Sequence, residues 1–252
     1  FTYSEPDVPL AERPEIDRWI LSVLHTLVKG VEKELDNFDP TRAGRLIDAF
    51  VNDDLSNWYV RLNRKRFWGK EMSTDKLSAY QTLYTCLETV AKLLAPFAPF
   101  YADKLYMDLV SATGRDTVCS VHLAKYPEAD DSFIDADLEV RMGMAQKITS
   151  MVLALRRKVN IKVRQPLGKI LIPVLDPAMG RHIEAVRPLI MNEVNVKRIE
   201  LVAETAGLIT KRIKPNFKTL GPKYGKYMKQ IAALTAAFTQ EQIAAVESAP
   251  ET

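Results

Sequence analysis

Apolar residues recur at helical spacing from the start of the chain. Ile16, Trp19, Ile20, Val23, Leu27 and Val31 share one face, and Pro14 stands where a missing N–H is harmless, so the pattern predicts a helix over 14–36. The stretch NFDPTRAGRLIDAF opens a second helix, with Asp39 as N-cap and Pro40 at the first helical position. It is expected to run to about residue 67 on a stripe of Ile47, Val51, Leu55, Trp58 and Leu62. A third helix is predicted over 75–95, ending near Pro96, and a fourth follows, kinked or broken where Pro99 removes a ladder bond. Residues 111–132 carry Gly, Pro and acidic punctuation and read as a linker. The last long amphipathic segment, 134–158, places Val140, Met144, Ile148, Met151 and Leu155 inward. Residues 1–158 therefore read as a helical bundle.

After residue 158 the period changes. NIKVRQPLGKILIPV alternates Ile161 and Val163 with Lys162 and Arg164, and VKRIELV alternates Val196, Ile199 and Leu201 with charge, so two strands are expected around a helix near 180–193. GPKYGKYMKQIAAL adds a helix with Gly221 and Pro222 at its mouth. The fold class is mainly α: a helical bundle followed by a small α/β domain over 159–252, complete or truncated.

Composition supports burial as the organising force, with 47% hydrophobic and 27% charged residues and only 10 Gly, unlike disordered or collagenous chains. The two cysteines, Cys86 and Cys119, form no C-x-x-C, so no zinc or redox motif is written and a reducing, cytoplasmic compartment is the expectation. The opening FTYSEPDVPLAERPE has no apolar targeting core, and the greasiest stretch, VAKLLAPFAPFYADKLYMDLV, is interrupted by charges and two prolines, so no membrane partner is expected. The first residue is Phe1 and not Met, which leads us to expect a piece of a longer chain. The net charge of +3 hides a split: residues 1–155 hold 18 basic against 24 acidic residues, and residues 156–252 hold 17 against 8. A basic end of this kind favours a polyanionic partner.

The densest chemistry lies in NWYVRLNRKRFWG, where Arg61, Arg64, Lys65 and Arg66 are interleaved with Trp58, Tyr59, Phe67 and Trp68. On an α-helical wheel Trp58 belongs to the core stripe, while Phe50, Asp53, Asn57, Arg61, Arg64 and Trp68 collect on a second face. Planar cations, amides and aromatics are the groups that stack on bases and fork onto phosphates. The plainer reading gives Arg61 a bundle carboxylate and makes Trp68 a cap on the core. A second basic run, RRKVNIKVR, either complements a helix C-terminus through Arg157 and Lys158 or extends the cationic surface through Lys162 and Arg164 on one strand face. A third, KRIKPNFKTLGPKYGKYMK, holds Lys211, Arg212, Lys214, Lys218, Lys223, Lys226 and Lys229 with no acid, and free N–H groups after Gly221 offer an anion site. It is no nucleotide-hydrolysing loop: Gly221 and Gly225 stand too close, and Tyr227 occupies the place of the magnesium-binding hydroxyl. No catalytic or metal constellation is written, since His25, His122 and His182 lack partners at ligand spacing and Asp53 and Asp54 read as helix ion-pair residues.

Five blocks, FVNDDLSNWYVRLNRKRFW, LLAPFAPFYADKLY, SVHLAKYPEAD, NIKVRQPLGKI and IKPNFKTLGPKYGKYMKQI, stand in order over nearly the whole chain. Together they resemble the C-terminal half of the isoleucyl-tRNA synthetase family; valyl and leucyl relatives resemble NIKVRQPL less well. The resemblance implies a helical anticodon-binding domain to about residue 158 and a C-terminal appendage that helps hold the tRNA. It implies an isoleucine-specific tRNA as partner, beside the catalytic and editing domains of a parent chain that uses ATP and Mg. His-Ile-Gly-His and Lys-Met-Ser-Lys-Ser are absent from the 252 residues, so this piece is expected to be inactive alone and to need no cofactor. The cysteine knuckle that ends some bacterial members cannot be built from two cysteines. The RNA-contacting residues expected from their chemistry are Asn57, Arg61, Arg64, Lys65, Arg66, Trp68, Arg157, Lys162, Arg164, Lys214, Lys218, Lys223 and Lys226. A generic RNA-binding module and a helical protein-interaction scaffold are the rival readings.

Overall fold

The computed structural model describes residues 5–115, 118–174, 176–202, 213–239 and 242–243. It divides into two compact units, Phe1–Leu167 with Arg181–Lys197, and Gly168–Gly180 with Arg198–Thr252. The first unit thus extends past residue 158 and takes in most of a later helix.

In the first unit α1 (Glu15–Asp36) is the central element. It packs on α2 (Pro40–Ala49), α4 (Thr74–Leu94), α6 (Ala136–Lys158) and a π-helix, Phe50–Val60. Surrounded on several sides, α1 buries Leu21, Leu24 and Val28 as well as Trp19, Ile20, Leu27 and Val31. Asp39 caps α2 as expected, its carboxylate accepting the Arg42 N–H at 2.9 Å, with Pro40 following.

The single helix expected from 40 to 67 is not continuous. Hydrogen bonding widens to the i→i+5 pattern over Phe50–Val60, and the chain turns at Asn63 before a short α3, Arg64–Trp68. The wider winding changes which residues point inward. Phe50, Leu55, Tyr59 and Asn63, spaced by five, four and four residues, are buried together with Trp58, whereas Val51 and Leu62 are only partly so. Phe50 therefore leaves the polar face assigned to it by an α-helical wheel and joins the core.

Pro99 begins a separate helix, α5 (Pro99–Thr113), where its missing N–H is harmless. Tyr106, Ala102 and Val110 of α5 form a satellite core with Ala91 of α4 and Val121 of the connector. The connector is also tied to α1. His25 Nδ1 accepts the Asp130 N–H at 2.9 Å, the imidazole stacks on Phe133 with centroids 4.6 Å apart, and Lys29 pairs with Asp131. Burial, opposed by the Asp130 charge, holds the His25 pKa below its ordinary 6.5. The unfolded chain therefore takes up the proton first, so the stabilisation is complete above pH 6.5 and is lost as pH falls through the folded-state value. Urea midpoints should drop between pH 7 and pH 5, and His25→Gln, which keeps an acceptor and cannot titrate, should flatten that slope; equal slopes would rule out the imidazole as its source.

Three helices of the first unit end with a left-handed residue that is not glycine: Phe38 after α1, Asn160 after α6 and Asn195 after α7 (Pro177–Val194). At the first, the Phe38 N–H reaches Leu35 O and the Asp39 N–H reaches Glu34 O, the paired bonds of a Schellman cap. Asparagine tolerates this geometry, but a phenylalanine at φ 57° that is 92% exposed does so against steric cost and without burying its ring. Phe38→Gly should stabilise the chain by roughly 0.5–1 kcal/mol, after allowing for the greater freedom of unfolded glycine. A fall in the thermal midpoint would contradict this.

Asp135 caps α6 through the Leu138 N–H at 3.0 Å. The apolar stripe expected on this helix is displaced: Leu138, Met142, Ala145, Ile148 and Thr149 are buried, while Val140, Met151 and Leu155 are exposed. Two interleaved sets of apolar residues occur on α6, and the neighbouring helix α1 and π-helix select the one that begins at Leu138.

The second unit holds a parallel pair, β1 (Ile170–Pro173) with β2 (Ile199–Val202), in the register Ile170↔Ile199 to Pro173↔Val202, with α7 as the crossover that parallel strands require. The first strand is shorter than expected, because residues 159–165 form a loop, for a reason given below. Later come α8 (Phe217–Tyr224) and α9 (Met228–Ala236). Asn216 caps α8 by accepting the Lys218 N–H, so Gly221 and Pro222 lie inside the helix and not at its mouth, where the anion site was expected.

Candidate functional site

The expected site residues fall in three places. The π-helix presents Asn57 and Arg61, both exposed, on the wall of a cleft of about 900 Å³ that faces α6. Arg61 is oriented by three contacts: Nε donates to Asn57 O at 2.8 Å, Nη1 pairs with Glu193 at 2.5 Å, and the guanidinium lies over the Trp58 ring at 5.6 Å. The plain reading of Arg61 as an ion-pair residue is thus met in part, yet its side chain remains 42% exposed and lines the cleft.

Trp58 and Thr149 give the cleft its unusual chemistry. The Trp58 Nε1–H and the Thr149 hydroxyl are buried without a hydrogen-bond partner, although both residues line the cleft. Gln146, Lys147 and Ser150 add amide, ammonium and hydroxyl groups from α6. Gln146 is itself placed by Asp54, which accepts from Nε2 at 2.9 Å and leaves the amide oxygen available. Asp54 forms that bond in place of the expected helix ion pair; burial, partly offset by the Gln146 bond and reinforced by Asp53 and Glu139, raises its pKa. The amides of Asn57 and Gln146, the Arg61 guanidinium and the Ser150 hydroxyl offer donors and acceptors that suit the edge of a planar polar ring. Sequence reasoning located Asn57 and Arg61 and missed the α6 wall; the spacing Leu138, Met142, Ala145, Thr149 would have found it, since it turns Gln146 and Ser150 outward.

The second place is α3. Arg64 and Lys65 are exposed with no ion-pair partner among the described residues, and Trp68 is 78% exposed, so it is no cap on the core. Arg66, expected beside them as an RNA contact, is instead found bonded within the protein. Its Nη1 and Nη2 donate to the two oxygens of Asp17 at 2.6 and 2.8 Å, and it also bonds Asn63 and Asp75. Burial opposes the charge, but the Asp17 bonds hold it protonated above the ordinary range. Asp17 is fully buried and accepts from Tyr59 Oη at 2.9 Å and Ser78 Oγ at 2.6 Å as well. With every donor of its fork directed inward, Arg66 holds α3 to α1 and α4.

The third place is the loop after α6. Arg157, Lys162 and Arg164 are exposed and without ion-pair partners among the described residues. Lys162 and Arg164 were expected on one strand face; they stand instead on a loop whose carbonyls are occupied by side chains. In the second unit Lys214, Lys218 and Lys226 are exposed, while the side chain of Lys223 and the residues Lys211 and Arg212 lie outside the described residues. Of the histidines, His182 Nε2 meets Asp137 at 2.9 Å. Among the described residues no three His, Cys, Asp or Glu side chains cluster to hold a metal ion, and no helix is long and apolar enough to cross a membrane.

A family model described as the anticodon-binding domain of tRNA ligase matches residues 17–171. The chain is 66% identical to isoleucine–tRNA ligase of Bacteroides thetaiotaomicron over 247 residues, covering 98% of this chain and 21% of that protein. It is 58% identical to isoleucine–tRNA ligase of Porphyromonas gingivalis over 249 residues, 99% of this chain and 22% of that one. With isoleucine–tRNA ligase of Clostridium novyi the identity is 42% over 231 residues, 91% and 22%. The chain spans about a fifth of the length of these relatives.

Proposed function

Since the chain belongs to the anticodon-binding domain family of tRNA ligases, we propose that it recognises and positions an isoleucine-specific tRNA for a parent ligase of which it is a piece. The observation that carries this reading is the cleft between the π-helix and α6, lined by Asn57, Arg61, Gln146, Lys147 and Ser150. A splayed anticodon base stacks and hydrogen-bonds there, while Arg64, Lys65, Arg157, Lys162 and Arg164 neutralise phosphates of the stem and release counterions. Phosphate contacts set register and salt dependence; the cleft carries the discrimination.

The parent enzyme attaches isoleucine to its tRNA in the cytoplasm, using ATP and Mg in catalytic and editing domains outside these 252 residues.

The test is the affinity of the 252-residue chain for isoleucine tRNA and for a non-cognate tRNA at two salt concentrations. Tighter cognate binding with a steep salt slope is expected. Equal affinity for both tRNAs would reduce the chain to a generic RNA binder, and weak, salt-insensitive binding would favour a protein-interaction scaffold.

A further inference from the structure

Arg156 is 3% exposed and, among the described residues, pairs with no carboxylate. Its guanidinium donates to four main-chain carbonyls instead. Nη1 reaches Lys162 O at 3.2 Å and Gln165 O at 3.0 Å, and Nη2 reaches Val194 O at 2.8 Å and Asn195 O at 3.0 Å. Nε is buried without a partner. Asn195 answers from the other side, its Nδ2 donating to Val163 O at 2.9 Å and Arg164 O at 3.2 Å from a left-handed backbone. Four successive carbonyls, of residues 162 to 165, are thus held by two side chains. Those are acceptors that strand pairing would otherwise use, which is why the alternating sequence IKVR forms no strand.

The loop so held borders a second cleft, of about 310 Å³, lined by Arg157, Asn160 and Lys162 and adjoining the larger cleft at Leu153, which lines both. A buried cation that meets only carbonyl oxygens also leaves its charge uncompensated beneath this basic surface. A lysine at 156 would retain the charge, but its single ammonium cannot reproduce a planar fork.

We infer that Arg156 is a positioning residue: it fixes the loop so that Arg157, Lys162 and Arg164 act together as a phosphodiester subsite continuing the larger cleft. This rests on the RNA-binding reading above. The subsite takes the backbone of the bound tRNA and reads no base.

The experiment measures tRNA binding by the 252-residue chain across a salt series, with thermal melts on the same samples. Arg157→Gln and Lys162→Gln should each lower the slope of log K against log salt by about 1, as the loss of one phosphate contact does. Arg156→Lys, which removes no charge, should lower the slope by about 3, one for each cation of the subsite, and adding R157Q and K162Q to it should change little further. Should R156K not fold, Asn195→Gly, which keeps the left-handed backbone and removes only the amide, should show a smaller loss with the same non-additivity. Wild-type slope in the folded R156K or N195G chain, with R157Q and K162Q still weakened, would overturn the positioning role alone. If R157Q and K162Q also bind as wild type while Arg61→Ala is impaired, no phosphodiester subsite exists on this loop. If none of these variants alters binding, it is the RNA-binding reading of the clefts that fails.

Discussion

Asp17→Ala lowers the stability of the chain by about 3–5 kcal/mol, the range expected when one partner of a buried ion pair is removed. The Asp17 carboxylate is fully buried and serves three donors at once, Arg66, Tyr59 and Ser78. Truncating it leaves the Arg66 guanidinium to Asp75 and Asn63, takes from Ser78 its acceptor and leaves the Tyr59 hydroxyl only the longer bond to Ala79 O. Tyr59 lies at the same junction, its hydroxyl pushed well above the usual range by burial and then by the Asp17 charge. The measurement is urea unfolding at neutral pH, where the midpoint should fall with little change in slope. A loss below about 1 kcal/mol would put the pair on the footing of an exposed one. The same change should loosen α3, because the Arg66 fork is what ties that short helix to α1 and α4.

Trp68→Ala weakens tRNA binding by roughly 1–3 kcal/mol, the usual worth of one base-stacking partner, and leaves the thermal midpoint where it was. Its ring is 78% exposed, so folding gains little from it, and it shares a five-residue helix with the unpaired Arg64 and Lys65. An exposed ring gives no area back to the fold when removed. Filter binding or anisotropy with isoleucine tRNA, beside a melt, decides the matter: unchanged affinity removes α3 from the interface, and a lowered midpoint shows that the ring packs.

Much of the bundle was legible because its signals are local. The Asp39 cap and Pro40, the α1 stripe and the parallel strands about a helix follow from neighbours a few residues apart. The site was legible only where polarity and exposure coincide, as at Asn57 and Arg61. The Arg66 ion pair was not legible because its partner Asp17 is 49 positions away and nothing near either residue announces the pairing. Lys162 and Arg164 were misread because alternation describes side chains, whereas the loop is decided by where Arg156 and Asn195 place carbonyl partners. On α6 two apolar sets compete, and only the neighbouring helices break the tie. Phe50 was placed outward because a wheel assumes uniform winding, which the π-helical stretch does not have.

That stretch has a further consequence for how the molecule tolerates change. Deleting one residue between Phe50 and Val60, where tighter winding does not absorb the loss, would rotate all that follows by roughly a quarter turn. Asn57 and Arg61 would swing off the wall they share with α6, even with every side chain retained. Register along this segment therefore places Asn57 and Arg61 as firmly as the residues on either side do, and a one-codon deletion here should weaken tRNA binding more than a conservative substitution at either position.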